Sequence, residues 1–220
     1  MTFSRALIPA VVALSLLGGA ARGDETHRII ANWLRTHSGV QSLAVDFSQR
    51  RVMKTLKIPI TQQGKLWIDY GRNRYRWQAG NPPQTIVVSR GQSILILRTP
   101  LKRYEERRAG SSEMPGLASL ARGFPRSLDE FLRKYRVLDL RSDGPRHSIV
   151  AQPRSRDQRG VKTFTFHIEK DRYRLLGVDV DLIDGSSLKT SFTRVQTNVA
   201  MPDSLFAPSL DGYTETTFSQ

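Results

Sequence analysis

The sequence predicts a mainly β domain of the α+β class: one long, strongly curved antiparallel sheet of about ten strands, with about three helices covering its concave side. Three observations carry this. Between Gln63 and Glu105, strand-sized apolar or alternating runs are separated by Gly71-Arg-Asn73, Asn81-Pro-Pro83 and Arg90-Gly91, the pattern of a β-meander. Between Gly110 and Tyr135 the apolar period lengthens from two to about 3.6, which marks helices. After Tyr135 strand-like runs resume, each bounded by Gly, Pro or Asp. At 220 residues, 39% apolar and 25% charged, the chain can fill one core and is not disordered.

Residues 1–23 read as a leader. Arg5 ends a short basic start, Ala6 to Leu17 is almost wholly apolar, and Gly18 to Gly23 supplies small-residue cleavage sites. That is a secretory signal peptide whose apolar part is short for a membrane span. Residues 24–220 are then expected to be a single soluble, exported domain. The chain has no Cys, which excludes a lipid-modified N-terminus of the lipoprotein kind, disulfides, thiolate metal sites and a Cys nucleophile. The formal charge is +14, and removing Arg5 and Arg22 lowers it only by two. Such a charge attracts anionic partners and says nothing about fold.

Asp24 to His37 has Ile29, Ile30, Trp33 and Leu34 at helical spacing, with Gly39 as the stop. Leu43, Val45 and Phe47 alternate with polar neighbours in a strand that runs outward into Arg50-Arg51. Pro59 between Ile58 and Ile60 argues for an edge or irregular strand. Within the meander, period-2 geometry places Tyr75 and Trp77 on one face and Arg74 and Arg76 on the other. Met114, Leu117, Ala118, Leu120 and Ala121 form a short Gly-flanked apolar stripe, a helix suited to act as a lid. Ser127-Leu-Asp-Glu130 has capping-box spacing for a further helix through Leu128, Phe131 and Leu132. Later strands are expected at Val137–Leu140, His147–Ala151, Lys162–Glu169, Leu175–Ile183 and Leu188–Val195, with a solvated basic loop at 153–160.

No catalytic constellation is present, and neither metal nor cofactor is expected. His27, His37, His147 and His167 have no ligand spacing, and no nucleophile elbow or phosphate loop occurs. His167 and Glu169 read as a solvent-facing pair. The acidic run Asp179 to Gly185 lacks the twelfth-position Glu of a calcium loop and reads as a strand ending in an Asp-Gly turn. Basic residues are scattered, and the rings of Tyr75 and Trp77 face away from Arg74 and Arg76, so nucleic acid is not an expected partner. The apolar surplus on the strands fits either a filled core or a cavity for an apolar ligand under a movable lid.

A succession of motifs bears on that choice: Leu43-x3-Phe47-Ser-Gln49, Gly64-x-Leu66-Trp67, Tyr75-Arg-Trp77, Ile86-x-Val88-Ser89-x-Gly91 and Pro100. Later come Val180 to Gly185, Leu205-Phe206-Ala-Pro208 and Gly212-Tyr213. The succession resembles LolA-type lipoprotein carriers over nearly all of residues 24–220. The resemblance implies an incomplete β-barrel with a helical lid that ferries lipoprotein acyl chains across the periplasm, without enzymatic activity. It implies cavity aromatics at Phe47, Tyr75 and Trp77. With the strand and lid patterns, the candidate lining becomes Phe47, Trp67, Tyr75, Trp77, Ile86, Val88, Ile94 and Ile96, plus Met114, Leu117 and Leu120 from the lid. Many family members have Arg-Pro after the Leu-Trp strand, where the Arg holds the lid shut. Here the segment is Asp69-Tyr-Gly-Arg-Asn73, and Arg72 is the candidate substitute. The implied partners are an acylated lipoprotein or other lipid cargo, an inner-membrane donor and an outer-membrane acceptor, with the carrier itself a monomer. The alternative reading is a basic, non-enzymatic module that docks on anionic envelope lipids or senses envelope state.

Overall fold

Runs of alternating and β-branched residues produce one sheet in the computed structural model, which describes residues 17–55, 58–108, 124–155 and 160–216. The strands are β1 (Ser42–Val52), β2 (Ile60–Asp69), β3 (Arg74–Ala79), β4 (Thr85–Arg90), β5 (Ser93–Arg98), β6 (Arg103–Arg108), β7 (Tyr135–Asp143), β8 (Arg146–Pro153), β9 (Val161–Glu169), β10 (Leu175–Leu182), β11 (Ser187–Thr197) and β12 (Thr214–Glu215). Their order is β12-β6-β5-β4-β3-β2-β1-β11-β10-β9-β8-β7. Every pairing is antiparallel except the parallel β12–β6. Twelve strands replace the expected ten or so because β6, Arg-Tyr-Glu-Glu-Arg-Arg, and the two-residue β12 carry no apolar alternation to announce them.

Two α-helices occur among the described residues, α1 (Leu17–Thr36) and α2 (Leu128–Lys134), where about three were expected. The stripe from Met114 to Ala121 lies outside the described residues. Helix α1 is already helical at Leu17, the first described residue, so it reaches back from Asp24 into the stretch read as a leader. Helix α2 begins as its capping spacing requires: Glu130 N–H donates to Ser127 Oγ at 3.2 Å, and Arg126 N–H donates to the Glu130 carboxylate at 2.9 Å.

Both helices press apolar residues onto one face of the sheet, called here the inner face. Ile29, Ile30, Trp33 and Leu34 of α1 and Phe131 of α2 are all buried in a single core with Phe164, Phe166 and Ile168 of β9. Trp33 meets Phe131 and Phe124 edge-to-face, with ring centroids 5.9 and 5.4 Å apart. Further along the sheet, Phe47 of β1 lies opposite Gly64 of β2. A Cβ at Gly64 would sit 2.3 Å from the Phe47 ring and 2.4 Å from the Gln78 carbonyl oxygen. The glycine is therefore what lets the ring lie flat across its neighbouring strand.

On β4 and β5 the sheet is apolar on its outer face as well. Ile86, Val88, Leu95 and Leu97 form a second core there with Phe206, and Trp67, Met201, Leu205 and Tyr213 pack around it. The cover is the C-terminal segment, which crosses this face and ends by adding β12 beside β6. Two arginines fasten it. Arg74 lies over the Phe206 ring at 4.2 Å and reaches Asp203 at 2.8 Å, while Arg76 donates to the Leu205 carbonyl at 3.1 Å.

Two outcomes follow from this packing. Gly64→Ala should lower stability by about 1–3 kcal/mol, the usual effect of overpacking, read as a lower denaturant midpoint. Asp203 is held below the ordinary carboxylate pKa by its bond to Arg74 and the nearby charge of Arg72. A carboxyl depressed in the folded state adds stability above its unfolded pKa and loses it as pH falls through the folded one. The difference in midpoint between the parent and Asp203→Asn should thus be present at neutral pH and vanish on acidification.

Candidate functional site

At one end of the inner face, where β1 and β10 begin and β2 and β11 end, two pockets adjoin. The apolar one, about 50 Å³, has walls of Leu43, Val45, Leu66, Ile68, Val178 and Phe192, with Tyr70 and Phe124 at its mouth. Period-2 geometry explains the convergence, since each strand turns alternate residues to the same side. The second, about 210 Å³, shares Ile68, Tyr70 and Phe124 and adds Asn73, Tyr75, Ser89 and Arg126. An apolar cavity that holds benzene measures about 150 Å³. The apolar pocket is smaller than that, so an acyl chain enters only if the side chains at its mouth move.

Charge at this mouth is uneven. Asp69 accepts from Arg74 at 3.0 Å and Asp203 pairs with Arg72 at 2.7 Å and with Arg74 at 2.8 Å. Two arginines thus offset two aspartates. The Arg126 guanidinium lies over the Tyr70 ring at 5.0 Å and pairs with no carboxylate among the described residues, leaving a positive group at the pocket. Burial raises the pKa of the Tyr70 phenol, with Arg126 opposing, so the hydroxyl stays a neutral donor beside a cation. The buried indole N–H of Trp33, which packs against Phe124, has no acceptor among the described residues.

The sequence-predicted residues divide between the two faces. Tyr75 lines the larger pocket. Phe47 and Trp77 stack deeper on the inner face, centroids 6.2 Å apart and planes 14° apart, and Trp77 is only half-buried. Ile94 and Ile96 are inner-core residues on β5. Trp67, Ile86 and Val88 are corrected: they belong to the outer core under the C-terminal segment. The pairings Ile86↔Leu97 and Val88↔Leu95 put them back-to-back with the inner residues Val87, Ile94 and Ile96. Arg72 is exposed and bonded to Asp203 of the C-terminal segment. Met114, Leu117 and Leu120 lie outside the described residues. Elsewhere, His167 and Glu169 do not converge, since His167 bonds Asp179 at 3.1 Å and Glu169 bonds Arg174 at 2.7 Å.

Several pocket residues were missed. Leu43, Val45 and Val178 carried an alternation signal but were read as ordinary strand positions. Tyr70, Phe124 and Arg126 lie between elements, where no periodicity points to a site. Among the described residues no helix is long and apolar enough to cross a membrane.

No curated protein matches the chain. A structure of an uncharacterized conserved protein from Thermus thermophilus superposes with a TM-score of 0.53 at 6% identity, over 87% of this chain and 98% of that one. A LolA superfamily protein from Nitrosomonas europaea gives 0.45 at 9% identity, over 81% and 96%. The lipoprotein LppX from Mycobacterium tuberculosis gives 0.44 at 10% identity, over 80% and 98%. The first of these likenesses supports the fold described above. The family profile described as outer membrane lipoprotein carrier protein LolA matches residues 38–209, most of the chain and nearly all of its sheet, and the chain belongs to that family.

Proposed function

We propose that the chain is a non-catalytic periplasmic carrier. It takes the acyl chains of a lipoprotein or related lipid into its inner face and shuttles them toward the outer membrane, from an inner-membrane donor to an outer-membrane acceptor. The observation that carries this reading is the apolar pocket between β1, β2, β10 and β11, with the Arg126 guanidinium, which pairs with no carboxylate among the described residues, beside its mouth. Acyl chains suit the walls, because burial contributes roughly 25 cal/mol per Å² of apolar surface. A polar or anionic head suits the neighbouring space beside Arg126, Asn73 and the tyrosines. The mouth is closed by ring packing and one cation–π contact, interactions of about 1 kcal/mol each, which a binding chain can displace. Membership of a lipoprotein-carrier family supports the same reading.

Saturable binding of an environment-sensitive acyl probe, insensitive to salt, tests the reading; a probe that fails to saturate overturns it. Trp77→Ala locates the depth of the site. A filled-core Trp→Ala change costs about 3–5 kcal/mol. If the half-buried ring of Trp77 borders the acyl path, the loss should be clearly smaller and probe affinity should fall. A full loss of stability with unchanged affinity would make the ring a core residue. Arg126→Ala should weaken an anionic-headed acyl probe by up to about fivefold, the range of an exposed charge, and leave a neutral acyl probe unaffected.

A further inference from the structure

The opposite end of the same strands has a different character. Val52 lies roughly 30 Å along β1 from Leu43, at about 3.3 Å per residue. There the β1–β2 hairpin extends past β3, which pairs with β2 only from Gly64 onward. Ile58 is 79% exposed and Ile60 46%; in the adjacent β10–β11 turn, Ile183 is 68% exposed. The two turns touch, since Lys54 N–H donates to Ser186 Oγ at 3.4 Å. Around them Arg50, Arg51, Lys54, Lys162 and Lys189 are exposed. Among the described residues, the acids at these two turns are Asp181 and Asp184, already accepting from Thr163 and Ser186. Further along the rim, the β5–β6 turn presents Leu101, 61% exposed, followed by Lys102 and Arg103.

Scattered exposed apolar residues are ordinary, but these four share one rim and cations surround them. Aliphatic side chains that enter a headgroup layer, flanked by Lys and Arg that meet its anionic lipids, are what interfacial membrane binding requires. Single-stranded nucleic acid would call for aromatic stacking platforms, and no aromatic side chain is exposed among the described residues. We infer that this rim docks the protein on an anionic lipid bilayer, with Ile58, Ile60 and Ile183 in the headgroup layer and the mouth turned away from it. Between the two ends lie Gln49 and Thr190, both 3% exposed and outside both pockets, with Gln49 Nε2 donating to Thr190 Oγ1 at 3.0 Å. Docking is therefore separate from cargo binding and does not rest on the carrier reading.

Flotation of the full chain with phosphatidylcholine vesicles, with and without phosphatidylglycerol, tests the inference. The parent should bind only the anionic vesicles, less so as salt rises. Each basic residue near such a surface is worth roughly fivefold in partitioning. Arg51→Ala with Lys54→Ala should thus lose more than about tenfold, whereas Arg146→Ala with Arg172→Ala, the same charge change at the mouth end, should lose far less. Ile58→Ser with Ile183→Ser should abolish the part of binding that survives high salt. All six positions are exposed, so denaturant midpoints and acyl-probe affinity should stay at parental values. Equal losses from both charge pairs, indifference of the parent to phosphatidylglycerol, or preferential binding of single-stranded DNA over the vesicles would overturn the inference.

Discussion

Strands β4 and β5 are apolar on both faces, and a sheet of that kind is stable only if something covers each side. Ile94 and Ile96 face the helices' side of the sheet while Leu95 and Leu97 face the other, so β5 has no wet face at all. The requirement explains why a chain whose helices sit on the inner face sends its C-terminal segment across the outer one. Arg74 is the fastening point of that cover. It rises from the outer face of β3, lies over Phe206, and bonds both Asp69 and Asp203. The cover therefore depends on a half-buried cation held between a ring and two carboxylates, and removing any one of these leaves the others poorly satisfied.

The same constraint shows why part of the site was legible in the sequence and part was not. Tyr75 and Trp77 could be assigned to one face because Arg74 and Arg76 alternate with them, and charge marks the other side. Ile86 to Val88 and Ile94 to Leu97 have no such marker. When both faces of a strand are apolar, alternation carries no information about which is which, and only the register with a neighbour decides. The pairing of Val87 with Ile96 put Ile86 and Val88 on the outer side, opposite to their expected role. Trp67 went the same way, since a large ring reads as cavity or core equally well and here it lies half-buried under the C-terminal segment.

Position in the chain limited the rest. Helix α2 and the strands from β7 to β11 were recognisable because their caps and alternation are local. The mouth is assembled from Tyr70, Phe124 and Arg126, each outside a regular element and brought together by the path of the sheet between residues far apart in sequence. Local pattern has no access to such a site. Net charge was legible as a total, but the gathering of Arg50, Arg51, Lys54, Lys162 and Lys189 around exposed isoleucines depends on which strand ends lie side by side.

The two cores also divide the mechanical work of a carrier. If one face of a sheet is to open for cargo, the strands need another source of rigidity while it does so. Here the outer core of Ile86, Val88, Leu95, Leu97 and Phe206 is closed, with no member more than 8% exposed, and it binds β4 and β5 to the C-terminal segment without using any residue of the apolar pocket. The pocket instead draws on β1, β2, β10 and β11, in the centre of the sheet, where each strand is held by neighbours on both edges. Side chains at the mouth can therefore move while the backbone ladder stays intact. The proposed acyl cargo suits that arrangement, because the fit of a chain of variable length is set by apolar contact along the walls and not by directional bonds that a change of length would break.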